Sequence, residues 1–154
     1  MAKSKKKKRS RIRPLALCVI RHGDAILVSE GHDPVKQQTF YRPPGGGIEF
    51  GETGQQTVVR ELMEEMDEAV TDLRYIGTLE NIFTYNGETG HEICLIYDGI
   101  FVNEAVYSRE TLEGTDDNDS LYTARWLPLD YFRRGEAPLY PDGLLDLLLT
   151  GAGR

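Results

Sequence analysis

The sequence predicts an α/β sandwich, in which a mixed β-sheet lies between helices. Three observations predict it. Short apolar, β-branched runs recur between turn residues, as half- or fully buried strands do. One segment, from about Thr53 to Met66, carries helix-start chemistry followed by apolar residues at helical spacing. A leucine-rich stretch near the C-terminus reads as a second helical layer.

The elements follow in chain order. PLALCVIR (14–21) is a continuous apolar run and reads as a buried strand. His22-Gly23-Asp24 is a turn, and AILVSE (25–30) returns as its hairpin partner. GHDPVKQQ (31–38) reads as a polar loop. TFYRPP (39–44) reads as a short strand ended by two prolines, which cannot donate to a ladder. Thr53 and Gln56 fit a capping box, each side chain satisfying a free backbone donor of the other residue. LRYIGTLENIFTYN (73–86) and HEICLIYDGIFV (91–102) read as strands joined by a turn at 86–90. Residues 108–120 are acidic and loop-like. TARWLPL (123–129) is a further strand, with short helices expected at 130–135 and 142–151.

The 154 residues suffice for one domain with its own core. Forty per cent are hydrophobic, which excludes a disordered chain. Apolar runs fall short of the roughly 20 residues that span a bilayer, so no membrane partner is expected. The N-terminus lacks the apolar segment of a signal peptide, and Cys18 and Cys94 lie in apolar runs. Both point to buried thiols and a cytoplasmic protein. Residues 1–13 hold 8 of the 18 Lys and Arg residues, which leaves 10 against 25 Asp and Glu in the remainder. A body that acidic repels nucleic acid unless cations intervene. Residues 1–13 are therefore read as a flexible, solvated basic arm, with nucleic-acid contact the less favoured use. Residues 14–154 form the domain, and its oligomeric state, a homodimer included, is not set by the sequence.

The helix from Thr53 to Met66 raises a question of charge. Glu61, Glu64 and Glu65 share one stripe with no lysine between them, although like charges three or four residues apart destabilise a helix. Val59, Leu62, Met63 and Met66 are expected on the opposite, buried side, with the carboxylates turned away from the core. Clustered carboxylates suit hard divalent cations such as Mg²⁺ or Mn²⁺. The run Gly45-Gly46-Gly47 just upstream lets backbone approach a ligand closely.

With Gly46, Glu52 and Arg60-Glu61-Leu62-Met63-Glu64-Glu65 at their observed spacing, the stretch resembles the Nudix box, G-x5-E-x7-R-E-U-x-E-E-x-G-U with U apolar. The resemblance extends over about residues 14–132, through RWLPLDYF. It implies the Nudix α/β/α sandwich with a mixed sheet. It also implies hydrolysis of a diphosphate bond in a nucleoside diphosphate linked to another moiety, with Mg²⁺ or Mn²⁺ as cofactor. Glu61, Glu64 and Glu65 then look like metal ligands and the Gly45 carbonyl like a further one. Glu52 and Arg60 look like a supporting ion pair. Asp67 and Glu68 depart from the box, standing where glycine and an apolar residue are expected. A weakened, nucleotide-binding regulator therefore stays an alternative, as does a hydrolase acting on RNA 5′ ends.

Other residues are less determined. A general base is sought among Glu61, Glu64 and the loop carboxylates Asp116, Asp117 and Asp119, and the sequence does not choose. Arg42, beside the glycines, is a candidate for substrate phosphate. Tyr41 is a candidate for substrate contact, and Phe40, Phe83 and Tyr85 also offer rings for a base, although aromatics in strands more often fill a core. Trp126 is expected in the core. His22, His32 and His91 show no ligand spacing.

Overall fold

The computed structural model describes residues 10–151. Most of the basic arm, residues 1–9, lies outside the described residues. Arg13, assigned to that arm by charge, instead opens the first strand.

Strand β1 (Arg13–His22) organises the molecule. It pairs in parallel with β6 (Glu88–Phe101), from Arg13 opposite Glu92 to Ile20 opposite Gly99. It pairs antiparallel with β4 (Gly45–Gly47), and at its end with β2 (Ala25–Asp33). A strand covered on both faces carries apolar residues continuously rather than alternately, and β1 does. Leu15, Leu17 and Val19 face a core shared with α2 (Leu129–Arg133) and α3 (Leu144–Leu149). Ala16, Cys18 and Ile20 face a second core with Val58, Leu62 and Met66 of α1 (Gly54–Met66). Helix, sheet and helix thus stack as the sequence predicts. Cys18 and Cys94 are buried and not joined as a disulfide, and burial pushes the Cys94 thiol up to about 11.

The ladder runs β5 (Val70–Tyr85), β6, β1, β2, β8 (Leu121–Pro128) and β7 (Thr111–Thr115), with β3 (Gln38–Arg42) on β2. Four boundaries differ from the sequence expectation. The expected loop 31–38 begins inside β2, whose Gly31–Asp33 pairs with β3. The glycine run is a strand, because β1 supplies its ladder. The turn between β5 and β6 shrinks to Asn86-Gly87, both with positive φ, which suits a tight hairpin. The acidic stretch 108–120 holds β7, whose apolar signal is Leu112; pairing with β8 makes it a strand. Upstream of β7, residues Glu104–Ser108 form a 3₁₀ turn.

Helix α1 begins and ends as local chemistry dictates. The Thr53 hydroxyl accepts from the Gln56 amide at 3.2 Å, and the Gln56 side chain accepts from the Thr53 amide at 2.9 Å. At the other end Asp67 takes φ 55°, ψ 40°, the left-handed cap usually given to glycine, and its amide donates to the Met63 carbonyl at 2.9 Å. Glu68 is buried and pairs with Arg109 at 2.9 Å, so the expected apolar position is filled by a neutralised charge. The helix therefore terminates where the box requires.

Asp67→Gly relieves the steric cost of a side chain in this conformation. It is expected to raise stability by up to about 1 kcal/mol, a shift of roughly 2–4 °C in Tm for a chain this size. Thermal unfolding followed by circular dichroism checks this, and a lower Tm would contradict the strain assigned to Asp67.

Candidate active site

The carboxylates lie where the sequence reading did not put them. Glu61 is 3% exposed and Glu65 is 8% exposed, whereas Val59 and Met63 are each 43% exposed. The reason is helical geometry. Glu61 and Glu65 immediately precede Leu62 and Met66, about 100° round the helix, so they border the buried stripe instead of opposing it. They pack against β4. A Cβ on Gly46 would sit 2.5 Å from the Glu61 carboxyl carbon, so only glycine lets that carboxylate lie on the strand. The Gly45 amide donates to Glu65, which places Gly45 beside the cluster.

Arg60 holds the cluster in shape. Its guanidinium donates to both Glu52 oxygens at 2.8 and 2.9 Å, to Glu61 at 2.9 Å, to Glu64 at 3.2 Å and to the Gly47 carbonyl at 3.0 Å. The fork geometry of arginine suits the paired contact with Glu52. Those bonds, with one from the Thr57 hydroxyl at 2.5 Å, hold Glu52 down at about 2. The loop before α1 is thereby tied to the helix and to β4, in keeping with the ion pair expected from Glu52 and Arg60.

The turn between β7 and β8 supplies a carboxylate from the opposite side. Oxygen atoms of Glu61, Glu64 and Asp117 all lie within 4.8 Å of one another. The three acids of this turn are not equivalent. Asp116 accepts from the Asn118 and Ser120 amides at 2.9 and 3.0 Å and so shapes the turn. Asp119 takes a left-handed conformation within it. Asp117 reaches the glutamates. Gly114 brings this hairpin close, since a Cβ there would come within 1.6 Å of the Glu65 carbonyl oxygen.

The electrostatics match that crowding. Burial first, then the nearby Glu61 charge, pushes Glu65 up to about 9, with Glu61 close enough to share its proton. Burial raises Glu61 as well, against the pull of Arg60. Glu65 Oε2 is buried without a hydrogen-bond partner. Several hard oxygens at one spot, one of them unpartnered, and carboxylates that resist ionising together fit a divalent cation. Glu61, Glu64 and Asp117 could hold it, with Glu65 buried beside Glu61.

A cleft of about 510 Å³ opens from Gly45, Gly46, Glu65 and Asp117 towards Arg42. Arg42 lines it as expected. Contrary to the expectation of substrate contact, Tyr41 does not: it is 6% exposed in the core against Tyr131 and Phe132, because alternate β3 side chains point to opposite faces. Trp126 is half-buried, stacked on Tyr107 with its indole N–H donating to the Arg109 carbonyl. The sequence reading passed over Glu92 and Arg13, which also line this cleft, with Glu92 3.9 Å from Arg13 and 3.5 Å from Arg42. A signal was present: Glu92 shares the inward face of β6 with Cys94 and Ile96, and a glutamate on a core face is rare without a reason.

The NUDIX domain profile matches residues 11–146. The chain belongs to the Nudix family. Its fold resembles a Nudix hydrolase from Nitrosomonas europaea (TM-score 0.62, 18% identity, 90% of this chain and 87% of that one). It also resembles a MutT Nudix hydrolase from Burkholderia pseudomallei (TM-score 0.59, 21% identity, 79% and 86%). In sequence it is similar to the NAD-capped RNA hydrolase NudC of Pseudomonas aeruginosa, 28% identical over 78% of this chain and 37% of that protein. The NudC of Pectobacterium carotovorum is 37% identical over 44% of this chain and 25% of that protein. The match thus spans between a quarter and two fifths of these relatives. Among the described residues, no helix is long and apolar enough to cross a membrane.

A carboxyl raised above its unfolded value keeps a proton in the native state that the unfolded chain releases. Metal-free Nudix protein is therefore expected to lose stability as pH rises from about 4.5 towards 9. Urea unfolding at a series of pH values, compared with Glu65→Gln, checks this. The variant is expected to flatten the dependence, and parallel curves would contradict it.

Proposed function

We propose that this Nudix protein hydrolyses a diphosphate bond in a nucleoside diphosphate linked to another moiety, using Mg²⁺ or Mn²⁺. The observation that carries this reading is the convergence of Glu61, Glu64 and Asp117 oxygens within 4.8 Å, beside a buried Glu65 with an unpartnered oxygen. When bound, the divalent cation supplies positive charge that offsets the diphosphate and acidifies the attacking water.

The chain's own residues do the rest. Arg60 and Glu52 hold α1, β4 and the connecting loop in register, so the carboxylates meet the substrate already ordered. Arg42, at the cleft wall, orients phosphate oxygens. Asp117 comes from the β7–β8 turn, with one oxygen within 4.8 Å of those of Glu61 and Glu64; its second carboxylate oxygen would take the proton from the attacking water. Positioning and electrostatics carry most of such a reaction. The alternative of a weakened, nucleotide-binding regulator rests on Asp67 and Glu68; the glycine-like cap that Asp67 adopts supports the hydrolase reading instead. Two buried cysteines not joined as a disulfide support a reading of action in the cytoplasm.

Purified protein incubated with nucleoside triphosphates, sugar nucleotides, dinucleoside polyphosphates and capped RNA, with product identification, tests the proposal. Glu64→Gln and Glu65→Gln are each expected to cut kcat by two or more orders of magnitude with the melting curve retained. Asp117→Asn is expected to lower kcat with little change in KM. Wild-type turnover in all three would overturn the assignment.

A further inference from the structure

Tyr122 lines the cleft together with Glu65 and takes no part in the steps assigned so far. It lies on β8 directly opposite Gly114 of β7. Side chains at opposed positions of an antiparallel pair share one face. That face is the one on which α1 sits, because a Cβ on Gly114 would point straight at the Glu65 carbonyl. The Tyr122 ring accordingly packs against the core that holds Leu62 and Met66 of α1. Strand pairing thus delivers its hydroxyl to the buried side of the acidic edge, where the sequence shows only a tyrosine in a strand.

Two buried oxygens are left over at this place. The Tyr122 hydroxyl and Glu65 Oε2 each lack a hydrogen-bond partner among the described residues. A buried polar atom without a partner has lost its hydration and gained nothing, so folded proteins keep few of them. Here one is a donor and the other an acceptor. They also feel each other. After burial, the charge of Glu65 is the strongest influence on Tyr122, and together they raise the phenol well above its usual range, so the hydroxyl keeps its hydrogen. Ser29, the other polar neighbour of that hydroxyl, donates its own to the Arg42 carbonyl at 3.4 Å. Glu65 receives one donor already, the Gly45 amide.

We propose that Tyr122 is a positioning residue for Glu65, its hydroxyl donating to Glu65 Oε2 when a divalent cation occupies the acidic cluster. Glu65 is then gripped from two sides, by the Gly45 N–H of β4 and by the Tyr122 O–H of β8. Two donors from two strands fix the carboxylate beside Glu61, where one donor leaves it free to turn. Hydrogen-bond partners that orient the carboxylates around a metal govern how tightly it is held. The proposal rests on the divalent cation invoked for hydrolysis and not on the identity of the substrate.

The test is titration calorimetry of the full chain with Mn²⁺ alone, beside thermal unfolding of chelator-treated protein. Tyr122→Phe is expected to weaken Mn²⁺ binding about tenfold, the scale of losing one such partner. The melting temperature without metal is expected to stay or rise, because the hydroxyl removed has no bond to lose. On a Glu65→Gln background the same change is expected to cost little further affinity, the mark of two groups acting as one. Mn²⁺ is also expected to shift the tyrosine ultraviolet band of the wild type and not that of Tyr122→Phe. Unchanged affinity in Tyr122→Phe, a loss that adds in full on Glu65→Gln, or the same ultraviolet response in both proteins overturns the proposal and leaves the metal site standing. So does a fall of several degrees in the metal-free melting temperature, which would assign Tyr122 to core packing. A wild type that binds no Mn²⁺ overturns the hydrolase reading and this proposal with it. Binding and coupling kept without hydrolysis would remove the reaction and leave the role of Tyr122.

Discussion

The contact on which the site depends is the guanidinium of Arg60 among its acidic neighbours. Glu52, Glu61 and Glu64 all bond to it, and Glu49 lies 3.8 Å away. One cation cannot neutralise that many carboxylates, and it is placed so that it need not. It bonds both oxygens of Glu52 but only one each of Glu61 and Glu64, and each of these two also offers an oxygen within 4.8 Å of one from Asp117. The surplus negative charge is thus held in one place instead of being dispersed into solvent. Burial raises the cost of keeping it ionised, a cost that a bound divalent ion would offset.

The glycines of β4 make this arrangement sterically attainable. Gly45, with φ 143°, lies against β1 so closely that a Cβ would meet the Ala16 carbonyl oxygen at 2.1 Å. Gly46 leaves room for the Glu61 carboxylate. A three-residue strand therefore joins the central sheet to the acidic edge of α1 with no side chain between them. Because β1 is buried on both faces, that edge is anchored to the strand that both cores share, and the carboxylates gain their order from the core.

Much of this was legible in sequence. The apolar run of β1 forecast a two-sided core, the Thr53–Gln56 pair forecast the start of α1, and the spacing of Glu52, Arg60, Glu61, Glu64 and Glu65 forecast the family. These are local signals: a periodicity, a cap, a fixed interval on one helix. Asp67 looked like a defect in the pattern, yet its short side chain tolerates the left-handed cap and the helix ends as if glycine were there.

The sequence by itself determined the sandwich, the capped helix and the acidic stripe with its arginine, because each is written within a few residues of the chain. Only the tertiary structure decided that Glu61 and Glu65 are buried, that Asp117 reaches them while Asp116 shapes the turn and Asp119 stays within it, and that Tyr41 turns into the core. It also decided that Glu92 gathers Arg13 and Arg42 in mid-cleft. Those outcomes depend on which strands pair and in which register, and such long-range contacts leave no periodic mark on either partner.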